Sequence, residues 1–281
     1  MSARPDALVS AEWVAAHAAD PDLRFIHLGI EEAGRAEFAR GHVRGAVYAS
    51  GYEDFAEDRE VRALVPLPET MAATLARWGI SPNDRIVCYA SAKSPWPARA
   101  YWVLRYYHFP RVHLLDGTIE ALAAAGLPIT TELTAPPASM RPAVLPEPDR
   151  TILATTAEVL AAAQHGGPTI LDCRTDGEWV GTADGHLPAP RRGRIPRATH
   201  LNWETLVDPD ARFLPLDALR AAYASAGIDG TTPVYPYCGG GIRAAVGWFI
   251  LHELLGYERI ANYDGSWSEW GARLDLPIET G

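Results

Sequence analysis

The 281-residue chain reads as an α/β protein built from two tandem domains, each a mostly parallel sheet flanked by helices. Three observations predict this class. Short apolar runs alternate with segments of helical periodicity, the pattern of βα units. The order of elements and motifs in the first half returns in the second. A proline-dense stretch without periodicity separates the two. The expected boundaries are 1–126 for the N-terminal domain, 127–150 for a linker and 151–281 for the C-terminal domain.

The first copy opens with a helix-like segment at 10–17 and a strand at 24–28. It continues through Phe38-Ala39-Arg40-Gly41-His42-Val43-Arg44-Gly45-Ala46 to a strand at 85–89, a helix at 98–107 and the run 112–117. The linker carries Pro128, Pro136, Pro137, Pro142, Pro146 and Pro148, a composition that keeps a connector extended and semi-rigid. The second copy repeats the order with a strand at 169–173, the segment 193–198, a strand at 234–237 and the run 260–265. Ile242, Val246, Phe249, Ile250 and Leu254 fall at helical spacing, which predicts a helix over 242–255. Asp264 lies 26 residues after Cys238, and Asp116 lies 26 after Ala90. Ala90 therefore stands where the second copy has its cysteine.

Composition excludes several classes. A net charge of −10 disfavours nucleic acid and anionic membranes as partners. No apolar run reaches the ~18–20 residues of a membrane span. The opening Met1-Ser2-Ala3-Arg4-Pro5-Asp6 lacks the pattern of a secretory signal. Cys88, Cys173 and Cys238 form neither a plausible disulfide set nor a zinc-ligand spacing, so no metal or other cofactor is expected. These readings together point to a reducing cytoplasm. Lys93 is the single lysine, so 25 − 1 leaves 24 arginines. A P-loop is ruled out, and fixed positive charge means arginine, with its planar fork of donors.

The chemistry concentrates in Tyr237-Cys238-Gly239-Gly240-Gly241-Ile242-Arg243-Ala244, between an expected strand and an expected helix. Successive glycines let the chain curl so that backbone N–H groups converge on an anion, and the helix dipole adds to that field. Such a setting favours a thiolate. By contrast, the loop after Ala90 contains Pro95 and Pro97, which lack N–H groups, and has no nucleophile. Cys88 sits two residues before Ala90, inside the strand, and reads as a core thiol, as does Cys173.

The Cys-headed loop followed by Tyr263-Asp264-Gly265-Ser266-Trp267-Ser268-Glu269-Trp270 resembles the two-domain members of the rhodanese (sulfurtransferase) superfamily. Loop length agrees: Cys238 to Arg243 is C-x4-R, the sulfurtransferase length, one residue shorter than the C-x5-R of related dual-specificity phosphatases. The resemblance implies two tandem rhodanese-like domains, the first non-catalytic, and a persulfide on Cys238. Sulfur would pass from a small anionic donor, thiosulfate in the first instance or 3-mercaptopyruvate in the second, to cyanide, a thiol or a sulfur-accepting protein. A non-catalytic rhodanese-like binding module is the alternative of another class, and a phosphatase or arsenate reductase a third.

The resemblance also assigns the site. Gly239, Gly240, Gly241, Ile242 and Arg243 would bind substrate through the loop, with Arg243 on the donor's anionic end or salt-bridged on a helix face. Arg194 stands where the family has histidine, and Arg197 where it has the second glycine. With Arg191 and Arg192 they form either a positive mouth for the donor or a solvated loop. Asp172 and Arg174 match a structural Asp-x-Arg. Glu178 replaces a donor-binding arginine of several members. His42 matches the first copy's histidine; without an acid at His27 or a serine at Gly240 to complete a relay, it reads as structural. Tyr263, Trp267 and Trp270 wall the pocket or pack the last helix.

Overall fold

A computed structural model describes residues 6–133 and 144–280. The middle of the expected linker, 134–143 with Pro136, Pro137 and Pro142, lies outside the described residues. The strands in chain order are β1 (Leu8–Val9), β2 (Leu23–Gly29), β3 (His42–Val43), β4 (Val47–Ser50), β5 (Arg85–Ala90), β6 (Val112–Leu115) and β7 (Ile129–Thr130), followed by β8 (Leu153–Ala154), β9 (Thr169–Asp172), β10 (Thr199–His200), β11 (Val234–Tyr237) and β12 (Asn262–Tyr263).

The first half forms a parallel sheet in the order β1-β6-β5-β2-β4. Helices cover both faces, which is why β2 and β5 are almost wholly buried and read as continuous rather than alternating apolar runs. In the second half β10-β9-β11 and β12-β8 pair in parallel, and a parallel bridge from Val234 to Ile260 joins the two groups. The resulting order, β8-β12-β11-β9-β10, repeats that of the first half. The duplication read from the sequence is thus a duplication of topology.

The helices that follow the equivalent strands β5 and β11, Trp96–Tyr106 and Ile242–Trp248, pack on each other across the seam. Tyr101 meets Phe249 edge-on at 4.8 Å, and a single apolar core runs from Ile26 and Trp102 to Trp248 and Ile250. Two matched hydrogen bonds clasp the halves. Asp264 accepts the N–H of Val65 at 2.5 Å, and its repeat partner Asp116 accepts that of Phe213 at 2.9 Å. Each donating loop is closed by an antiparallel bridge, Glu57 with Leu64 and Val207 with Phe213, and each bends at an alanine of positive φ, Ala63 and Ala211. The recurring aspartate at 26 residues is therefore an interdomain clasp.

Arg99, completely buried, reinforces that clasp. It donates to Asp264 Oδ1 at 2.5 Å, to the Phe55 carbonyl at 3.1 Å and to the Ala63 carbonyl at 3.2 Å. Matching every nitrogen of the guanidinium to an acceptor is what makes so buried a charge tolerable.

Two expectations change. The 127–150 segment does not leave the first half at once, because Ile129–Thr130 pairs antiparallel with His42–Val43 and extends that unit. The helix expected over 242–255 is α-helical only through Trp248; Phe249–Leu254 forms a π-helix. Its wider turn carries Glu253 inside, 3.5 Å from Arg105 of the first half. Among the described residues, no helix is long and apolar enough to cross a membrane.

Candidate active site

Cys238 is the first residue after β11, and three glycines turn the chain into the helix Ile242–Trp248. Gly241 adopts φ +72°, and a Cβ there would lie 2.5 Å from Asp264 Oδ1, so both conformation and space demand glycine. The segment after β12 cradles the loop. Ser266 Oγ accepts the N–H groups of Cys238 at 3.0 Å and Gly241 at 2.9 Å while donating to the Tyr263 carbonyl. The N–H groups of Trp267 and Ser268 donate to the carbonyls of Cys238 and Gly239. Asn262 Nδ2 holds the Gly241 carbonyl at 3.0 Å.

This arrangement leaves the N–H groups of Gly239, Gly240, Ile242 and Arg243 without a hydrogen-bond partner among the described residues. Four donors at the start of a helix are an anion site in waiting. Cys238, Gly239, Gly240, Ile242 and Arg243 all line one cleft of about 830 Å³ between the halves, although the Cys238 side chain itself is nearly buried. Tyr52, Trp96 and Ile30 wall the cleft from the first half, and Leu187 and Trp203 from the second.

The other two thiols differ in kind. Cys88 and Cys173 are buried in strand surroundings, and burial pushes both far above the ordinary thiol range. Neither lines the cleft.

A Rhodanese-like domain model matches residues 10–125 and 155–273. The chain belongs to the rhodanese family. It is 33% identical over 285 residues to a thiosulfate sulfurtransferase of Corynebacterium glutamicum, spanning 99% of this chain and 92% of that one. It is equally 33% identical, over 289 residues, to the sulfur carrier protein TtuD of Thermus thermophilus, spanning 99% and 98%. Among solved structures, the 3-mercaptopyruvate sulfurtransferase SseA of Escherichia coli superposes with a TM-score of 0.81 at 25% identity, over 93% of this chain and 98% of that one.

The remaining candidate residues of this rhodanese separate into those brought to Cys238 and those that are not. Arg243 reaches the loop, but its two outer nitrogens donate to Glu178, at 2.6 and 2.8 Å. Burial works against the Arg243 charge, yet the Glu178 hydrogen bonds and the Cys238 and Glu178 charges outweigh it and raise its pKa. Burial likewise opposes ionisation of Glu178, and the Arg243 pair with the Thr175 hydroxyl overcomes it, holding the carboxyl at about 2. Glu178 thus answers the loop arginine at the position where the family resemblance implies a donor-binding arginine.

Arg194 is not brought to Cys238. Its guanidinium lies 4.5 Å from the Trp179 ring and 3.4 Å from Glu279, because its backbone pairs with Glu279 and turns the side chain away from the cleft. The rest of the arginine cluster is likewise engaged elsewhere. Arg191 donates to the carbonyls of Gly271, Leu276, Trp270 and Arg273, Arg192 pairs with Asp184, and the Arg197 N–H donates to Glu279. The positive-mouth reading gives way to one in which Arg191, Arg194 and the Arg197 backbone tie down the C-terminal segment, while Arg192 is neutralised by Asp184 at the cleft rim.

Asp172 and Arg174 form a buried forked pair that also binds the Gly193 carbonyl, in keeping with a structural role. His42 stacks on Phe38 and bonds its carbonyl at 2.8 Å, away from the cleft. Burial and then the neighbouring His42 lower His27 to about 4, so it stays neutral beside Ser91. Trp267 and Trp270 donate to the carbonyls of Arg191 and Pro277 and pack the C-terminal segment rather than the cleft. The aromatic wall comes instead from Tyr52, Trp96 and Trp203, none of which was legible as a site residue.

Proposed function

We propose that the protein is a sulfurtransferase that moves a sulfane sulfur from thiosulfate to a thiol or cyanide acceptor through a persulfide on Cys238. One observation carries this reading: Cys238, alone of the three buried thiols, lines the cleft, and it heads a loop with four unspent N–H donors.

In the first step the Cys238 thiolate attacks the outer sulfur of thiosulfate. The new Sγ–S bond forms as the S–S bond to the sulfonate breaks, and sulfite leaves with the electron pair. The loop N–H groups of Gly239 to Arg243 hold the negative charge on thiolate and then on persulfide. In the second step the acceptor attacks the outer sulfur and Cys238 departs as thiolate. Arg243, neutralised by Glu178, acts as a strut that fixes the loop's last turn, and Arg194 has no part in binding. The three free thiols suit a reducing cytoplasm.

The first half is proposed to be catalytically silent. Ala90 replaces the nucleophile, and the void over its loop measures only about 30 Å³. Lys93, in that loop, is spent on the carbonyls of Glu204 and Val207 across the seam.

A second donor reading, 3-mercaptopyruvate, is favoured by the size of the cleft, which exceeds what thiosulfate fills, and by the likeness to SseA. A sulfur-accepting protein would use the same open cleft. Intact mass after exposure to each donor, with peptide mapping, tests the proposal. A gain of one sulfur on Cys238, reversed by cyanide, is the expected result. No gain with either donor would overturn the reading in favour of a binding module.

A further inference from the structure

From the chemistry lining the cleft we infer that Tyr52, supplied by the non-catalytic half, is a catalytic hydrogen-bond donor to the sulfonate oxygens of the donor. The inference rests on the sulfurtransferase reading and adds a residue to it.

Elimination is the first step. Transfer from thiosulfate builds negative charge on the sulfonate as it becomes sulfite, so a donor aimed at those oxygens speeds the step. The loop N–H groups are assigned to the thiolate and persulfide charge, which leaves the sulfonate end of the donor to other groups. Arg243 spends its two outer nitrogens on Glu178. Arg62, at the rim, is paired with Asp58 at 3.3 Å and exposed to water. His186 stands exposed at the rim and the Trp203 Nε1 is sealed from solvent, and among the described residues lining the cleft only Tyr52 and Thr175 carry hydroxyls. Thr175 donates to Glu178 at 2.8 Å as part of a capping box. The Tyr52 hydroxyl makes no hydrogen bond to any described residue.

Placement is the second step. Tyr52 sits on the helical turn Gly51–Asp54, whose start is fixed by the Ser50 N–H donating to Asp54 at 2.8 Å. Its ring stands edge-on to Trp96, with centroids 4.7 Å apart. Trp96 in turn lies directly on Gly51, where an added Cβ would come within 2.2 Å of the indole, so the wall cannot shift backwards. The ring is therefore backed by Trp96 on the wall of a cleft that Cys238 also lines. Burial first, and then the Cys238 charge, raise its pKa, so the hydroxyl keeps its proton and can donate.

The internal duplication supports the assignment. The turn Trp203–Leu206 follows β10 as Gly51–Asp54 follows β4. Each turn covers the other half's loop: Trp203 closes over Ala90, and Tyr52 faces Cys238. Over the silent loop the turn presents a bulky plug. Over the reactive one it presents a hydroxyl and leaves the space open.

Chemically the step stays balanced. The phenol donates a hydrogen bond without giving up its proton, and sulfite leaves with the pair from the broken S–S bond. Tyr52→Phe keeps the ring against Trp96 and deletes only the donor. Single-turnover loading of Cys238, followed by intact mass, should slow about 10- to 100-fold with thiosulfate. Loading from inorganic polysulfide, whose leaving group bears no oxygen, should proceed at the wild-type rate, as should discharge of the preformed persulfide to cyanide. Wild-type loading of Tyr52→Phe from thiosulfate would overturn the inference. Equal slowing with both donors would overturn it too, by reducing Tyr52 to a packing residue. Failure of the wild-type protein to load from either donor would instead sink the sulfurtransferase reading itself.

Discussion

Replacing Glu178 with glutamine isolates what the buried Arg243–Glu178 pair does. The carboxyl falls from an ordinary 4.5 to about 2 because the Arg243 bonds and charge outweigh its burial. At about 1.4 kcal/mol per pH unit, that drop corresponds to a ceiling of about 3.5 kcal/mol, and water in the cleft screens it to about 2 kcal/mol. Folding lowers this pKa, so the unfolded chain binds the extra proton as the solution is acidified. The contribution is complete above pH 4.5 and drains away as pH falls toward 2. Urea unfolding of wild type and Glu178→Gln should differ by about 2 kcal/mol at pH 7, and the gap should shrink to about three fifths of that at pH 3.5. The variant also frees the Arg243 guanidinium toward the cleft, so the KM for thiosulfate should fall. A gap independent of pH would refute the ionised pair, and an unchanged KM would refute the view that Glu178 withholds Arg243 from the donor.

Cys238→Ala should abolish sulfur loading, whereas Cys88→Ala, altering a thiol sealed in β5, should leave it largely intact; comparable losses would contradict the silent first half. Arg99→Met strips Asp264 of its cation and orphans two carbonyls, which should cost about 3–5 kcal/mol by urea unfolding. The double variant with Asp264→Asn should recover part of that loss, and simple additivity of the two would argue against a coupled pair. Gly241→Ala forces a side chain into a left-handed position 2.5 Å from Asp264 Oδ1, so loading should fall at least tenfold, roughly a 1.4 kcal/mol effect; wild-type loading would show that the loop tolerates a different shape.

The parts of this molecule legible in its sequence are those whose cause is local. Three consecutive glycines after an apolar run can do little but turn the chain sharply, so the loop and its cysteine were readable. The equal spacing of Asp116 and Asp264 exposed the repeat because each residue ends the same βα unit. What escaped depends on side-chain direction or on distant partners. Four arginines within 191–197 suggested a basic mouth, yet Arg191 and Arg194 are turned onto the C-terminal segment and Arg192 is spent on Asp184. Glu178 and Arg243 meet across 65 residues of sequence, and no spacing rule announces such a pair. The π-helix at 249–254 preserves enough helical periodicity to pass for a regular helix.

The cleft was least legible of all because it belongs to neither half. A duplicated unit has two equivalent loops and two equivalent covering turns, and crossing the pairs makes each half roof the other's loop. Once Ala90 replaced the nucleophile in one copy, its loop was free to be filled by Trp203, and its Lys93 to be spent across the seam. The other cover kept its opening, and with it the only uncommitted hydroxyl among the described residues lining the cleft. The same crossing explains the reciprocal aspartate clasps: Asp264 touches both Val65 of the first half and the space beside Gly241 of the loop. Any slip of the seam would therefore be felt at the loop's left-handed glycine. If the first half is silent, as proposed, it still supplies the wall and the brace that the half carrying Cys238 does not make alone.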